Sequence, residues 1–129
     1  MIKNNNVVGG GGATELACSI EVAKEADKIV GIEQYAVRAF ADALEEIPMC
    51  LAENSGFNPI EYVQKLKKMQ IEEQNPFIGV DAMSLGTNNM YEQGIFESVM
   101  SKKQQLQLAT QVVKMILKID DVIAPQEYE

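Results

Sequence analysis

Four consecutive glycines, Gly9 to Gly12, stand directly before a stretch of helical periodicity, and this junction limits the chain more than any other feature. Glycine adopts positive φ without steric cost, so a glycine run marks a sharp turn or a close approach of the backbone to something else. The residues that follow place Leu16, Ile20 and Ala23 on one side and Glu15, Glu21, Lys24 and Glu25 on the other. They read as an amphipathic helix of about four turns, closed weakly by Asp27 and Lys28. The first amides of a helix have no intrahelical acceptor and stand at the positive end of its dipole, and glycine lets an anion come near them. The junction is thus a phosphate cradle in outline. It is not a Walker loop, for no Lys-Ser/Thr follows, and the Rossmann spacing is not met either; a flexible linker or an ordinary tight turn fits the same glycines.

The rest of the chain reads as a helical body with a little strand. From Gly31 an apolar stripe runs through Ile32, Tyr35, Ala36, Ala39, Phe40, Ala43, Leu44 and Ile47, with alanines small enough to admit a second helix. Pro48 removes a hydrogen bond to the Leu44 carbonyl, which predicts a kink before Met49 to Asn54 continue the helix to Ser55-Gly56. Phe57-Asn58-Pro59-Ile60-Glu61-Tyr62 then opens another helix: Asn58 caps, Pro59 fits the first turn, Glu61 completes a capping box, and Phe57 and Tyr62 stand where a hydrophobic staple would. Ile60, Val63 and Leu66 give it a buried edge, and Lys65, Lys67 and Lys68 a solvated basic one. Between Asn75 and Met90 the helical period fails, and breakers mixed with β-leaning residues predict a small hairpin. A last helix is predicted from about Ser98 to Leu117, with Leu106, Ala109, Val113 and Ile116 inward. Lys118 to Ile123 is read as a terminal edge strand and the tail from Ala124 as frayed.

A chain of 129 residues accommodates one domain or a piece of one, and 47% apolar against 23% charged residues argues for a folded chain. A formal charge of −8 repels phosphate backbones and anionic bilayers, so no nucleic-acid or membrane partner is expected. With no apolar run of spanning length and no signal-type start, the expected compartment is the cytoplasm. Cys18 and Cys50 match no metal spacing and are read as buried or half-buried thiols. The absence of histidine removes His-based triads and most zinc chemistry. Asp120-Asp121 points to opposite faces if extended and is read as solvated rather than metal-binding. Asp81 and Glu97 lie in or beside the irregular stretch, where ligand contacts concentrate. The methionines, Met49, Met69, Met83, Met100 and Met115 among them, are read as core filler.

Several runs, taken in order, carry a family resemblance. Val7-Val8-Gly9-Gly10-Gly11-Gly12-Ala13-Thr14-Glu15, the stretch Gln34 to Glu45, Ile47-Pro48, Leu51-Ala52-Glu53-Asn54-Ser55-Gly56, Asn58-Pro59-Ile60, Leu108-Ala109-Thr110 and Ile116 to Asp121 together resemble group II chaperonins over nearly the whole chain. Gln74-Asn75-Pro76, Gly79-Val80-Asp81, Gly86-Thr87-Asn88-Asn89-Met90 and Lys102-Lys103-Gln104-Gln105 narrow the likeness to one subunit type of the eukaryotic cytosolic member.

The resemblance implies a mainly α fold: the C-terminal half of an equatorial, ATP-binding domain over residues 9–124, an intermediate-domain remnant over 1–8 and a tail over 125–129. It implies an ATP-dependent double-ring chaperone that folds cytosolic clients such as actin and tubulin. By position, Gly10, Gly11 and Gly12 match the glycines that lie against the nucleotide, Asp81, Ala82 and Met83 the segment lining the adenine, and Glu97 the acidic position that accepts from the ribose hydroxyls. The ligand is ATP or ADP, with Mg²⁺ in the intact subunit. The Asp-Gly-Thr-Thr loop that handles phosphates and Mg²⁺ does not occur here, and the catalytic Asp of the intermediate domain is placed upstream of Met1. No catalytic and no metal residue is therefore assigned, and this stretch alone is expected not to turn over ATP or to grip unfolded clients. Many relatives carry Asn at the place of Asp81, and a carboxylate only accepts, so any donor role toward the base would be lost or taken by the backbone. Gly9 lengthens the usual run of three. Partners are other ring subunits; helices made to pack against absent ones predict exposed apolar surface and self-association. The rival expectation is a free-standing helical interaction module without nucleotide turnover.

Overall fold

The glycine run does turn the chain. In the computed structural model, which describes residues 3 and 5–123, Gly11 and Gly12 have φ of 63° and 77°, a region closed to most side chains. The run is bounded by a short strand β1 (Val7–Gly9) and a helix α1 (Ala13–Ala26). The helix begins on the Gly12 carbonyl, which accepts from the Leu16 N–H at 3.0 Å. Thr14 Oγ1 donates to the Gly9 carbonyl at 2.8 Å and ties the turn to the first helical residues.

Helix α2 (Glu33–Asn54) runs through Pro48, and α3 (Pro59–Glu73) follows after a tight link. The cap, the first-turn proline and the staple predicted for the start of α3 are present; the return bond from Asn58 N–H to the Glu61 side chain is not found among the described residues. Asn58 Oδ1 accepts from the Glu61 N–H at 3.5 Å, Pro59 takes the first helical position, and the Phe57 and Tyr62 rings stack at 4.2 Å as the staple. After α3 come a one-turn helix α4 (Met90–Gln93), a second strand β2 (Phe96–Ser98) and helix α5 (Val99–Leu117). The fold is mainly α, as expected.

The strands differ in place from the expectation. The regular pairing is β1 with β2, flanked by Gly10 N–H donating to Ile95 O and Val99 N–H donating to Asn6 O. Within 76–89 the hairpin is reduced to one antiparallel bridge, Ile78 with Asn89. Residues 119–123 are exposed and carry no regular structure: an extended segment needs a partner for its amides, and the Ile119 N–H instead closes a last helical turn on Ile116 O. The predicted tail from Ala124 lies outside the described residues.

Two compact units divide the chain, Val7–Glu97 and the segments up to Asn6 and from Ser98. The larger unit holds the core. Leu16 of α1, Ala52 of α2, Val63 and Leu66 of α3, and Ile78 and Val80 of the loop after α3 bury one another, with α1 lying chiefly on α2 and α2 on α3. A buried polar seam crosses the same helices: Glu45 Oε1 accepts from Ser19 Oγ at 2.7 Å and from Lys67 Nζ at 2.6 Å. Lys67 is thus half-buried, unlike the solvated edge predicted for it, because Glu45 of α2 reaches it.

Other expectations are corrected. On α2 the buried positions are Ala41, Leu44, Pro48 and Ala52, so Ile32, Tyr35, Ala36, Ala39, Phe40, Ala43 and Ile47 lie exposed. The helix is apolar on more of its circumference than α1 and α3 cover. Along α5 only Lys102 is buried among the described residues; Leu106 is half-buried, while Ala109, Val113 and Ile116, predicted inward, face solvent. Cys18 is half-buried but Cys50 is exposed, and of the methionines named as filler Met83, Met100 and Met115 are exposed while Met49 and Met69 are half-buried.

Candidate functional site

The glycine turn lies where three segments of the larger unit meet. Gly11 O accepts from the Val80 N–H at 2.9 Å, and Gly10 N–H donates to Ile95 O at 3.0 Å. Val80 immediately precedes Asp81, and Ile95 stands two residues before Glu97, so backbone bonds hold the turn between the two distant stretches that carry the candidate acids.

These contacts leave no room for side chains. A Cβ at Gly11 would lie 2.7 Å from Met90 Sδ and 3.3 Å from Val80 O, and one at Gly79 would lie 2.9 Å from Gly11 O. At Gly12 a Cβ would fall 2.8 Å from the Cβ of Pro48. The proline thus forms one wall of the glycine turn, a role that reading it as a helix breaker did not suggest.

Polar side chains brace the loop that faces the turn. Gln70, buried on α3, donates from Nε2 to Ala13 O at 3.1 Å and to Ile78 O at 2.6 Å, linking α3, the start of α1 and the loop. The Tyr62 hydroxyl oxygen accepts from the Asp81 N–H at 3.2 Å and from Asn88 Nδ2 at 2.8 Å. Asn88 also donates to Gly79 O at 3.1 Å, while its own carbonyl accepts from the Gly79 N–H at 2.8 Å. Sequence reasoning passed over Gln70, Asn88 and Gln93 and gave Tyr62 only its staple. Gln70 did carry a signal, since it continues the buried stripe of Val63 and Leu66 at helical spacing. Asn88 and Gln93 carried none, because only tertiary folding sets their partners.

Asp81 is buried, and its carboxylate is turned to its own loop. Oδ1 accepts from the Leu85 N–H at 3.0 Å and from Gln93 Nε2 at 2.9 Å, and Oδ2 from the Gly86 N–H at 2.9 Å. The Leu85 amide above all, helped by the Gly86, Gln93 and Ser84 donors, holds this carboxyl below its ordinary value, against the opposing effect of burial. Ala82 and Met83 are exposed at the outer edge of the loop, Met83 at 70%. Glu97 is half-buried on β2.

The arrangement is a glycine turn at a helix start, closely fitted to a braced loop on one side and to the approach to a strand on the other. Amides at a helix start suit an anion. Residues 1–127 match the sequence model of the TCP-1/cpn60 chaperonin family, and the chain belongs to that family. It is 44% identical over 124 residues to T-complex protein 1 subunit epsilon of Encephalitozoon cuniculi, a match covering 96% of this chain and 23% of that protein. It is 41% identical over 126 residues to a thermosome subunit of Methanothermococcus thermolithotrophicus, covering 98% of this chain and 23% of the relative. Among solved structures, an open-state group II chaperonin monomer from Methanococcoides burtonii superposes with a TM-score of 0.81 at 36% identity, over 88% of this chain and 28% of that one. A group III chaperonin in the open state gives 0.86 at 33% identity, over 92% and 24%. The chain therefore spans about a quarter of the length of the relatives it matches. Among the described residues no helix is long and apolar enough to cross a membrane.

Proposed function

We propose that this chain supplies one wall of the nucleotide site of an ATP-driven, epsilon-type chaperonin subunit. In this reading Gly10, Gly11 and Gly12 approach the phosphates, the segment Asp81-Ala82-Met83 lines the adenine, and Glu97 accepts from the ribose hydroxyls. Residues 9–124 form the C-terminal half of the equatorial domain, residues 1–8 adjoin the intermediate domain, and the subunit works in the cytoplasm within a hetero-oligomeric double ring on clients such as actin and tubulin. Phosphoryl transfer needs positioning, a metal clamp and an oriented water. This stretch contributes positioning; the Mg²⁺ and water-activating groups belong to other parts of such a subunit.

One observation carries the reading. The Gly11–Val80 and Gly10–Ile95 backbone bonds draw together residues separated by some seventy to eighty-five positions, the glycines with the stretches that carry Asp81 and Glu97. The test is a titration of the chain with fluorescent ATP, alone and with the remainder of a chaperonin subunit supplied in trans. Binding is expected in the second arm at least, and Gly11→Ala, which sets a methyl against Met90 and Val80, should weaken it by about tenfold. Absence of binding in both arms refutes the nucleotide reading.

A second reading, a helical interaction module without turnover, draws on the exposed Tyr35, Phe40 and Ile47 of α2. It predicts concentration-dependent self-association in sedimentation that ATP does not alter; a monomer that ignores hydrophobic dye would eliminate it.

A further inference from the structure

We propose that Asp81 is a positioning residue, clamping the 81–86 turn together with Gln93 so that the backbone at Ala82 and Met83, and not the Asp81 side chain, meets the base. The inference rests on the nucleotide reading above and deepens it.

The Asp81 side chain is committed to its own loop by three hydrogen bonds, from Leu85 N–H, Gly86 N–H and Gln93 Nε2. Its own N–H is taken by the Tyr62 hydroxyl. Gln93 in turn donates to Thr87 O at 2.6 Å, so the carboxylate, the amide and the loop close on one another. The turn they enclose is awkward for an unaided backbone, with Ser84 at φ 54° and Gly86 at φ 85°. A non-glycine residue at positive φ persists where its surroundings hold it there. The Ala82 N–H is engaged by Val80 O at 3.0 Å and the Ser84 N–H by Asp81 O at 3.4 Å, and Met83, 70% exposed, stands between them in the turn. An exposed peptide offers a carbonyl acceptor beside an N–H donor, and an adenine edge presents the complementary amino donor and ring-nitrogen acceptor. The anionic Asp81, an acceptor only, is suited to gathering amides inside the loop.

The test compares Asp81→Ala, Asp81→Asn and Gln93→Ala in the full chain, with its complementing half present, using ATP and inorganic tripolyphosphate as ligands. Amide exchange at Leu85 and Gly86 is followed in parallel. Asp81→Ala and Gln93→Ala are each expected to weaken ATP by about tenfold, and Asp81→Asn, which keeps one acceptor, by about threefold. Tripolyphosphate, which touches only the glycine side, should bind all variants alike, whereas a general loss of structure would weaken it too. The Leu85 and Gly86 amides should exchange faster in Asp81→Ala. If Gln93→Ala binds ATP like the unaltered chain while Asp81→Ala does not, the side chain touches the base and the proposal falls. Retained amide protection in Asp81→Ala refutes the clamp alone. Failure of the unaltered chain to bind ATP refutes the nucleotide reading and the base-facing half of the proposal with it.

Discussion

Helices α1 and α5 look alike on paper. Each follows a short strand, and each repeats apolar residues at helical spacing. Yet α1 buries Ala13, Leu16, Ser19 and Ala26 completely or nearly so, while α5 leaves Val113 52% and Ile116 58% exposed. The difference lies in their partners. Helix α1 is covered by α2, by the Gln70 bond from α3 and by the loop through Val80; most described positions of α5 are exposed. An apolar stripe says which residues share a face, and burial requires a second surface to receive it. Helix α2 shows both cases at once, with Ala41, Leu44 and Ala52 packed and Tyr35, Phe40 and Ile47 open.

Substitutions test that contrast. The largest expected effect is at the core: Leu16→Ala removes a fully buried side chain of α1 and should cost about 3 kcal/mol in urea unfolding. The matched change on α5, Val113→Ala, should stay within about 0.5 kcal/mol. Equal losses at the two sites would mean that α5 is covered after all, and the comparison would fail.

A smaller effect separates two glycines of the same backbone type. Gly12 and Gly56 both have strongly positive φ, 77° and 85°, but only Gly12 has a neighbour, Pro48, where a methyl would go. Gly56→Ala should therefore show the conformational cost alone, about 1 kcal/mol. Gly12→Ala adds the collision with Pro48 and should lose about 2–3 kcal/mol in thermal unfolding. A gap near zero would indicate that α2 yields freely beside the glycine turn.

The gentlest probe is acid. The Asp81 carboxyl lies below its ordinary value of 3.8, so its contribution to stability is complete above that pH and fades as pH falls through the lower folded value. The stability difference between the unaltered chain and Asp81→Asn should then be widest near neutrality and shrink in strong acid. A difference independent of pH would show that the loop does not depend on the charge.

Local chemistry was legible because its causes are local. The α3 start could be read from Phe57 to Tyr62, since a cap, a first-turn proline and a staple involve residues within one helical turn. The glycine turn could be read from steric freedom alone. Glu45 meeting Lys67, Gln93 meeting Asp81, and Pro48 walling the glycines could not, since each joins residues that only the packing of separate elements brings together. The strands were misplaced for the same reason: β1 and β2 are three residues each and nearly ninety apart, so neither has a local pattern that names its partner.

By itself, then, the order of residues determined a mainly helical chain, the turn at Gly9 to Gly12, the capped start of α3 and the family, because propensity, steric freedom and shared motifs are properties of short stretches. The tertiary structure alone decided which apolar faces are covered, where the strands pair, and that the Asp81 carboxylate looks inward to its own loop. Those outcomes depend on distances between remote residues, which no local preference sets.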